Sequence, residues 1–325
     1  MLAMYRILKI PSPMSTFGYP KPSLSAEKVS LQPFLSPADR VRRAAIFMSG
    51  SGANAEAILH ALQADPHPQL EIVALVTDRP TRSRTHEIGA AFGLPVIAQD
   101  IFEYYRSHGQ RRVTLATAEG CEMRNRWTDA LREQLVPLAI DFGIFAGFVP
   151  LCNIAGDFPC LNVHPGDLTV LRDAQRYLVG LHTTPIERAI LADHDALRSS
   201  VIIAEPFTAG GDNMDSGPLL GISAPVPVHL QGAALCELRK IFEARPAIRP
   251  AKGYGDQLEA IADENLDRLK HGGDLLLFPR VVAEFAADRF ALDECQALHY
   301  ASEGTWRPVQ TVVYHQDAKP RTIPR

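Results

Sequence analysis

The stretch "RAAIFMSGSGANAEAILHAL", residues 43–62, joins a short apolar run to a glycine-rich turn and then to an amphipathic pattern. The run from Ala44 to Met48 has the continuous apolar character of a strand that is buried on both faces of a parallel sheet. After the turn, apolar residues recur at helical spacing from Ala55 to Leu62. A strand that passes through a tight turn into a helix is half of a βαβ unit, so this stretch predicts a parallel sheet.

The same alternation continues along the chain. Further apolar runs that read as strands lie within residues 70–78, 94–99, 138–148, 160–165 and 200–205, and helical patterns lie within residues 85–92, 127–135, 186–200 and 256–290. Strands that alternate with helices wind a sheet between two helical layers. The sequence therefore predicts an α/β class: a doubly wound, mostly parallel sheet flanked by helices, which is a Rossmann-like fold.

The chain ends differ in composition from the rest. Residues 1–40 are rich in Pro and Ser and predict an irregular N-terminal arm. Residues 41–295 carry the α/β pattern, and within them residues 229–254 read as an insertion with one short helix followed by Pro and Gly. Residues 296–325 predict a C-terminal tail with at most a short β segment.

Composition excludes several classes of function. The net charge of -4 gives no basic excess for a nucleic-acid partner. The five cysteines are dispersed without a CxxC pair, which favours reduced thiols in the cytoplasm and no metal site. Since no window approaches the ~20 apolar residues that span a bilayer, no membrane segment is expected. The expected partners are small molecules, and a homodimer is left open.

The sequence "CLNVHPGDLT", residues 160–169, places polar residues where an apolar strand ends. Asn162 and His164 are two residues apart and so share one face of the strand. Ligands of open α/β sheets bind beyond the carboxyl ends of the strands, which is where this pair falls. The alternative is a structural histidine with satisfied hydrogen bonds.

Two glycine-rich loops contain further candidates. In "SGSGAN" the backbone of Gly52, Ala53 and Asn54 opens a helix and suits a phosphate, although a tight turn alone would also need these glycines. In "DNMDSGPLL" the acids Asp212 and Asp215 either shape turns or, for Asp215, orient a histidine.

A third candidate stands ahead of a predicted helix. In "GLHTTPIERAIL", residues 180–191, His182 precedes the helix and is available to contact a ligand.

These motifs, in this order, resemble the folate-dependent formyltransferases, and among them the enzymes that formylate glycinamide ribonucleotide. The resemblance extends over about residues 44–292 and includes "SGSGAN", "AGFVPL", "LNVHP", "GLHT", "DNMDSGPLL" and "GGDLLLFPRVVAEFAADRF". It implies formyl transfer from 10-formyltetrahydrofolate, without a metal, to a primary amine. Glycinamide ribonucleotide of purine biosynthesis is then the leading acceptor.

The resemblance also implies roles for individual residues. Asn162, His164 and Asp215 would be catalytic: Asn162 and a protonated His164 would donate hydrogen bonds to the oxyanion. The other implied roles concern substrate binding. The phosphate of the acceptor would bind Gly52, Ala53 and Asn54, and the folate would bind Val149, Pro150, Leu151 and Asp212. His182 and Asp274 would make further contacts with the substrates.

The chain also departs from this family. Pro150 stands where the family commonly has a basic residue, and the segments near residues 103–130, 166–179 and 229–254 are expanded. These changes leave the identity of the acceptor amine open, so an amine other than glycinamide ribonucleotide is an alternative acceptor.

Other functions remain as rivals. Formyltetrahydrofolate hydrolase and methionyl-tRNA formyltransferase fit less well, since the former usually has a longer N-terminal domain and the latter a basic C-terminal barrel. A non-catalytic nucleotide- or phosphate-binding α/β module is the alternative from another class.

Overall fold

The computed structural model describes residues 30–181, 183–207, 215–250, 252–316 and 318–325. The strands are, in chain order, β1 (Leu31–Pro33), β2 (Arg42–Phe47), β3 (Leu70–Thr77), β4 (Val96–Ala98), β5 (Phe142–Phe145), β6 (Cys160–His164), β7 (Leu171–Arg172), β8 (Gln175–Arg176), β9 (Ala196–Leu197), β10 (Ser200–Ile203), β11 (Leu219–Ser223), β12 (Val226–Pro227), β13 (Phe290–Asp293), β14 (Leu298–Ser302), β15 (Thr305–Tyr314) and β16 (Arg321–Pro324). The α-helices are α1 (Ala53–Ala64), α2 (Thr85–Phe92), α3 (Ile101–Ser107), α4 (Ala118–Leu135), α5 (Thr184–Leu191), α6 (Leu235–Glu243), α7 (Gln257–Leu269) and α8 (Leu275–Ala286).

One large sheet organises the described residues. Its strand order is β1-β13-β14-β15-β11-β10-β6-β5-β2-β3-β4, and β16 pairs with β15. Eight of its twelve strands run in one direction, whereas β1, β10, β14 and β16 run in the other. The predicted fold class, a mostly parallel sheet flanked by helices, is confirmed.

Strand β2 shows why the opening stretch determines this architecture. Its alternate residues contribute to two separate cores: Ala44 and Ile46 pack with α1 and α8, while Ala45 and Phe47 pack with α3 and α4. A strand with apolar residues on both faces is stable only when helices cover both sides. None of the described helices is long and apolar enough to cross a membrane.

The C-terminal segment differs from its prediction. Strands β14, β15 and β16 join the main sheet, and β15 pairs in parallel with β11. The expectation of at most a short β segment after residue 295 is therefore wrong. The reason is that β15 is mostly exposed along Thr305–Pro308 and contains Pro308, so its sequence lacks the apolar run of a central strand.

Two segments that the sequence predicts to be expanded form elements outside the main sheet. Residues 166–180, which we name the strap, include the antiparallel hairpin of β7 and β8. In the insertion at residues 229–254, helix α6 packs with α5 and α7 around Leu238. At the N-terminus, β1 pairs with β13 at the edge of the sheet, and residues 1–29 lie outside the described part of the chain.

Candidate active site

A pocket opens beside strands β5, β6 and β10. Asn162, half-buried on β6, lines it together with Phe145, Phe148, Pro150, Leu151, Cys152, Ile202, Ala204, Glu205, Phe207 and Asp215. Most of this lining is aromatic or aliphatic, and a few polar groups converge on it, which is the usual composition of a small-molecule pocket. Two of the four residues expected to hold folate, Pro150 and Leu151, belong to this lining. Val149 is not among the lining residues: its side chain is exposed, and its backbone N–H donates to Ser49 Oγ at 2.9 Å.

His164 and Asp215 meet behind this pocket. The Nδ1 atom of His164 lies 3.4 Å from Oδ2 of Asp215, and both side chains are almost fully buried. The backbone N–H of Gly180 lies 3.4 Å from the same carboxylate oxygen. The structure thus brings two residues that are about fifty positions apart in sequence into one ion-pair geometry.

The other nitrogen of His164 is already engaged. Nε2 lies 2.7 Å from the backbone carbonyl oxygen of Leu178, which belongs to the strap. A carbonyl can only accept, so Nε2 carries a proton here, and an imidazolium would satisfy both the carbonyl and the carboxylate. His164 does not line the pocket, whereas Asn162 and Asp215 do. A direct hydrogen bond from His164 to a substrate oxygen, as expected from the sequence, would require Leu178 to move.

Gly166 makes this close packing sterically possible. A Cβ atom at this position would lie 2.4 Å from the Leu178 carbonyl oxygen and 2.8 Å from His164 Nε2. Both distances are shorter than any van der Waals contact. The strap can therefore approach His164 only because residue 166 has no side chain.

We expect Gly166→Ala to lower the free energy of unfolding by about 1–3 kcal/mol, because the added methyl overpacks a buried contact. Denaturant unfolding measures this change. The matched control is Gly50→Ala, since a Cβ at Gly50 meets nothing within 4 Å. Equal stability of the two variants would contradict the close approach of the strap to His164.

The loop between β2 and α1 is held in one conformation. Gly52 adopts a positive φ of 73°, and a Cβ there would lie 2.4 Å from Ile88 and 2.5 Å from Met48. Helix α1 begins at Ala53, so its first backbone amides have no intrahelical acceptors. Arg84 supports the loop: its backbone N–H donates to the Gly50 carbonyl, and its guanidinium donates to the Ser51 carbonyl and to Glu56. The loop therefore presents amides of the kind that bind an anion.

Asp274 connects this loop to the strands around His164. Its carboxylate accepts a hydrogen bond from Ser199 Oγ at 2.5 Å and another from the Asn54 side chain. Ser199 precedes Ser200, which pairs with His164 across β10 and β6. Burial raises the pKa of Asp274 to about 6, and the hydrogen bonds from Ser199 and Asn54 only partly offset that effect. Asn54 and Asp274, both predicted as substrate contacts, thus lie together.

The pKa of Asp274 predicts a pH effect on stability. Because its pKa rises from 3.8 to about 6 on folding, the folded state favours the neutral carboxyl, and stability is lost as the pH rises through this window. A shift of this size corresponds to about 3 kcal/mol. We therefore expect Asp274→Asn to become more stable than the native protein as the pH rises from about 4 to about 7.5. The difference between their free energies of unfolding should grow by up to about 3 kcal/mol over this range.

Urea unfolding at several pH values measures this gain. The Asn54 amide can rotate to accept from the new amide, so the substitution keeps both hydrogen bonds. Asp39→Asn, at an exposed carboxylate, is the control. A pH-independent difference between the Asp274 variant and the native protein would contradict the burial of an ionisable carboxyl at this position.

The arrangement of elements is shared with known enzymes. Phosphoribosylglycinamide formyltransferase from Anaplasma phagocytophilum superimposes with a TM-score of 0.52 at 16% sequence identity, covering 84% of this chain and 98% of that one. The Coxiella burnetii enzyme of the same name, in complex with CHES, has a TM-score of 0.52 at 16% identity, covering 84% and 99%. Glycinamide ribonucleotide transformylase 1 from Symbiobacterium toebii has a TM-score of 0.50 at 20% identity, covering 82% and 96%. This chain has the formyltransferase fold.

The resemblance drawn from the sequence is confirmed at the level of this fold. No family model and no curated sequence matches the chain. Of the predicted catalytic residues, Asn162 and Asp215 line one pocket, and His164 pairs with Asp215 behind it. Two other predicted site residues, Asp212 and His182, lie outside the described part of the chain.

Three residues near the candidate site were not predicted from the sequence. Arg176 and Leu178 lie on the strap, where the sequence has no recognisable motif, and Leu178 contributes only a backbone carbonyl. Ser199 directly precedes β10, which begins at Ser200 and is otherwise apolar, so the sequence contains only a weak signal for it. The two cysteines near the pocket are buried, and burial raises the pKa of the Cys152 thiol to about 11. Cys152 and Cys160 both belong to the hydrophobic core around α3 and α4.

Proposed function

We propose that this protein transfers the formyl group of 10-formyltetrahydrofolate to a primary amine. The observation that carries the proposal is the convergence of Asn162 and Asp215 on one mostly apolar pocket, with His164 paired to Asp215 behind it. The formyltransferase fold supports the reaction class.

In the proposed reaction, the amine nitrogen attacks the formyl carbon, and the carbonyl oxygen becomes an oxyanion. The Asn162 amide donates a hydrogen bond to that oxygen, where charge develops. The intermediate then collapses, the bond from carbon to N10 of the folate breaks, and N10 takes up the proton that the amine loses. Asp215 lines the pocket, so it can accept this proton and pass it on directly or through a water molecule. His164 balances the charge of Asp215 from behind.

Glycinamide ribonucleotide is the leading acceptor in this proposal. Its phosphate would bind the free amides at the start of α1, and the Gly52 loop supports this placement. Asn54 Oδ1 is buried and has no hydrogen-bond donor among the described residues. A substrate amine or hydroxyl group near Asp274 would supply such a donor. The expanded segments around the site make other amines an alternative.

The decisive experiment incubates the full chain with 10-formyltetrahydrofolate and a panel of primary amines that includes glycinamide ribonucleotide. Tetrahydrofolate formation is followed by absorbance and formyl-amine formation by mass spectrometry. We expect amine-dependent turnover. Release of formate without any formylated amine would instead indicate a hydrolase.

One observation favours the non-catalytic alternative. His164 Nε2 donates a hydrogen bond to the Leu178 carbonyl, and a purely structural histidine would make such a bond. The same assay separates the two functions, because a binding module would bind folate or nucleotide in calorimetry and show no turnover with any amine.

A further inference from the structure

The strap makes three separate contacts with the His164–Asp215 pair. The Leu178 carbonyl accepts from His164, the Gly180 N–H reaches the Asp215 carboxylate, and Arg176 binds the backbone on either side of Ser216. All three contacts come from residues 176–180 of the strap, whose hairpin is separate from the main sheet. The pair is therefore held by a short stretch of chain outside that sheet.

Arg176 supplies the strongest of these contacts. Its guanidinium donates through NH1 to the backbone carbonyl of Asp215 and through NH2 to that of Gly217, at 2.9 Å for the second bond. The side chain is half-buried, and this burial lowers the pKa of Arg176. A half-buried cation that makes a forked hydrogen bond to two carbonyls of one turn fixes the position of that turn.

The turn at Asp215 requires such support. Asp215 has a positive φ of 59°, a left-handed conformation that costs energy for a residue with a side chain. On the other side of the turn, Ile203 N–H donates to the Pro218 carbonyl at 3.0 Å. Arg176 and β10 thus hold the turn between them, and the direction of the Asp215 carboxylate depends on both.

We propose that Arg176 is a positioning residue, which holds the Asp215 turn so that the carboxylate meets both His164 and the pocket. This proposal rests on the formyl transfer proposed above. Lysine cannot replace Arg176, because a single ammonium group cannot bind both carbonyls in the same fork. The strap itself is held from elsewhere, since Arg188 of α5 donates to the Tyr177 and Val179 carbonyls.

The test compares Arg176→Gln and Arg176→Lys with Arg172→Ala. Arg172 lies on the same hairpin, is exposed and packs its guanidinium 3.7 Å from the Tyr177 ring centre, so it controls for general damage to the strap. We expect both Arg176 variants to lower kcat between about tenfold and a hundredfold, with KM for 10-formyltetrahydrofolate changing less than about threefold. Arg172→Ala should stay within about twofold of the native protein.

A second readout does not depend on turnover. NMR of ¹⁵N-labelled imidazole reports the hydrogen bonding of the His164 ring nitrogens, and the signals are assigned with a His164→Gln variant. In the Arg176 variants we expect the Nδ1 resonance of His164 to shift, because its carboxylate partner is displaced. Added guanidinium chloride at low concentration should partly restore kcat in Arg176→Ala and should leave Arg172→Ala unchanged.

The outcomes separate the two proposals. If the native protein formylates no amine, the proposed function fails, and a shifted Nδ1 resonance of His164 in the Arg176 variants still supports the positioning role. If the native protein is active but Arg176→Gln keeps native kcat and an unchanged Nδ1 resonance of His164, the positioning role is overturned. Thermal unfolding identifies any misfolded variant. If Arg176→Gln does not fold, the kcat of Arg176→Lys decides whether Arg176 has the positioning role.

Discussion

Asp215→Asn should lower kcat for formyl transfer about a thousandfold, while KM for 10-formyltetrahydrofolate changes little. The carboxylate lines the pocket and is the ion-pair partner of His164. An amide of the same shape can neither accept the amine proton nor balance an imidazolium, and loss of a positioned proton acceptor typically costs 10²–10⁴-fold. The effect should appear in kcat because the proton moves only as the reaction proceeds.

Asp173→Asn is the matched control for this substitution. Asp173 lies at the exposed turn of the strap hairpin and, like Asp215, has a positive φ, of 51°. Asparagine tolerates that conformation, so both substitutions relieve the backbone to a similar extent. The control should retain native kinetics. An Asp215→Asn enzyme that kept more than a fifth of native kcat would remove Asp215 from the proposed mechanism.

Asn162→Ala should lower kcat between about a hundredfold and a thousandfold. Asn162 stands on β6 beside the pocket, and its amide is the donor that we assign to the oxyanion. Removing one such donor typically costs about 2.7–4 kcal/mol in the transition state. Substrate binding should change much less, because the formyl oxygen carries little charge before attack.

Two further variants sharpen this second prediction. Asn162→Asp keeps the size of the side chain but places a negative charge where an oxyanion forms, so its activity should be no higher than that of Asn162→Ala. Asn125→Ala removes an exposed amide on α4 and should leave stopped-flow and steady-state rates unchanged. High activity of the Asn162→Asp enzyme would show that no oxyanion forms beside this residue.

Much of the central sheet could be predicted from sequence, because its strands are buried on both faces. The apolar runs that became β2, β3 and β5 have no other stable environment than a parallel sheet between helices. By contrast, β10 runs antiparallel between β6 and β11, and its apolar sequence reads the same in either direction. The direction of β10 is set by the path of the loop that leads to it, and a loop has no hydrophobic periodicity from which its path could be predicted.

The site was predictable to the extent that its geometry is local. Asn162 and His164 share a face because side chains alternate along a strand, and this required no tertiary knowledge. The bond from His164 to Leu178 could not be foreseen, because any residue offers a backbone carbonyl. Asp274 was placed through a resemblance, and only the fold shows that Asn54 and Ser199 bind it.

The two glycines of the loop after β2 have unequal value for protein engineering. Residue 52 is closed to change, since its backbone is left-handed and the methyl groups of Ile88 and Met48 fill the space beside it. Residue 50 faces open space, so a library of side chains there would lie beside the proposed phosphate-binding loop without disturbing the scaffold. Directed evolution toward a new amine should therefore randomise position 50 and leave position 52 untouched.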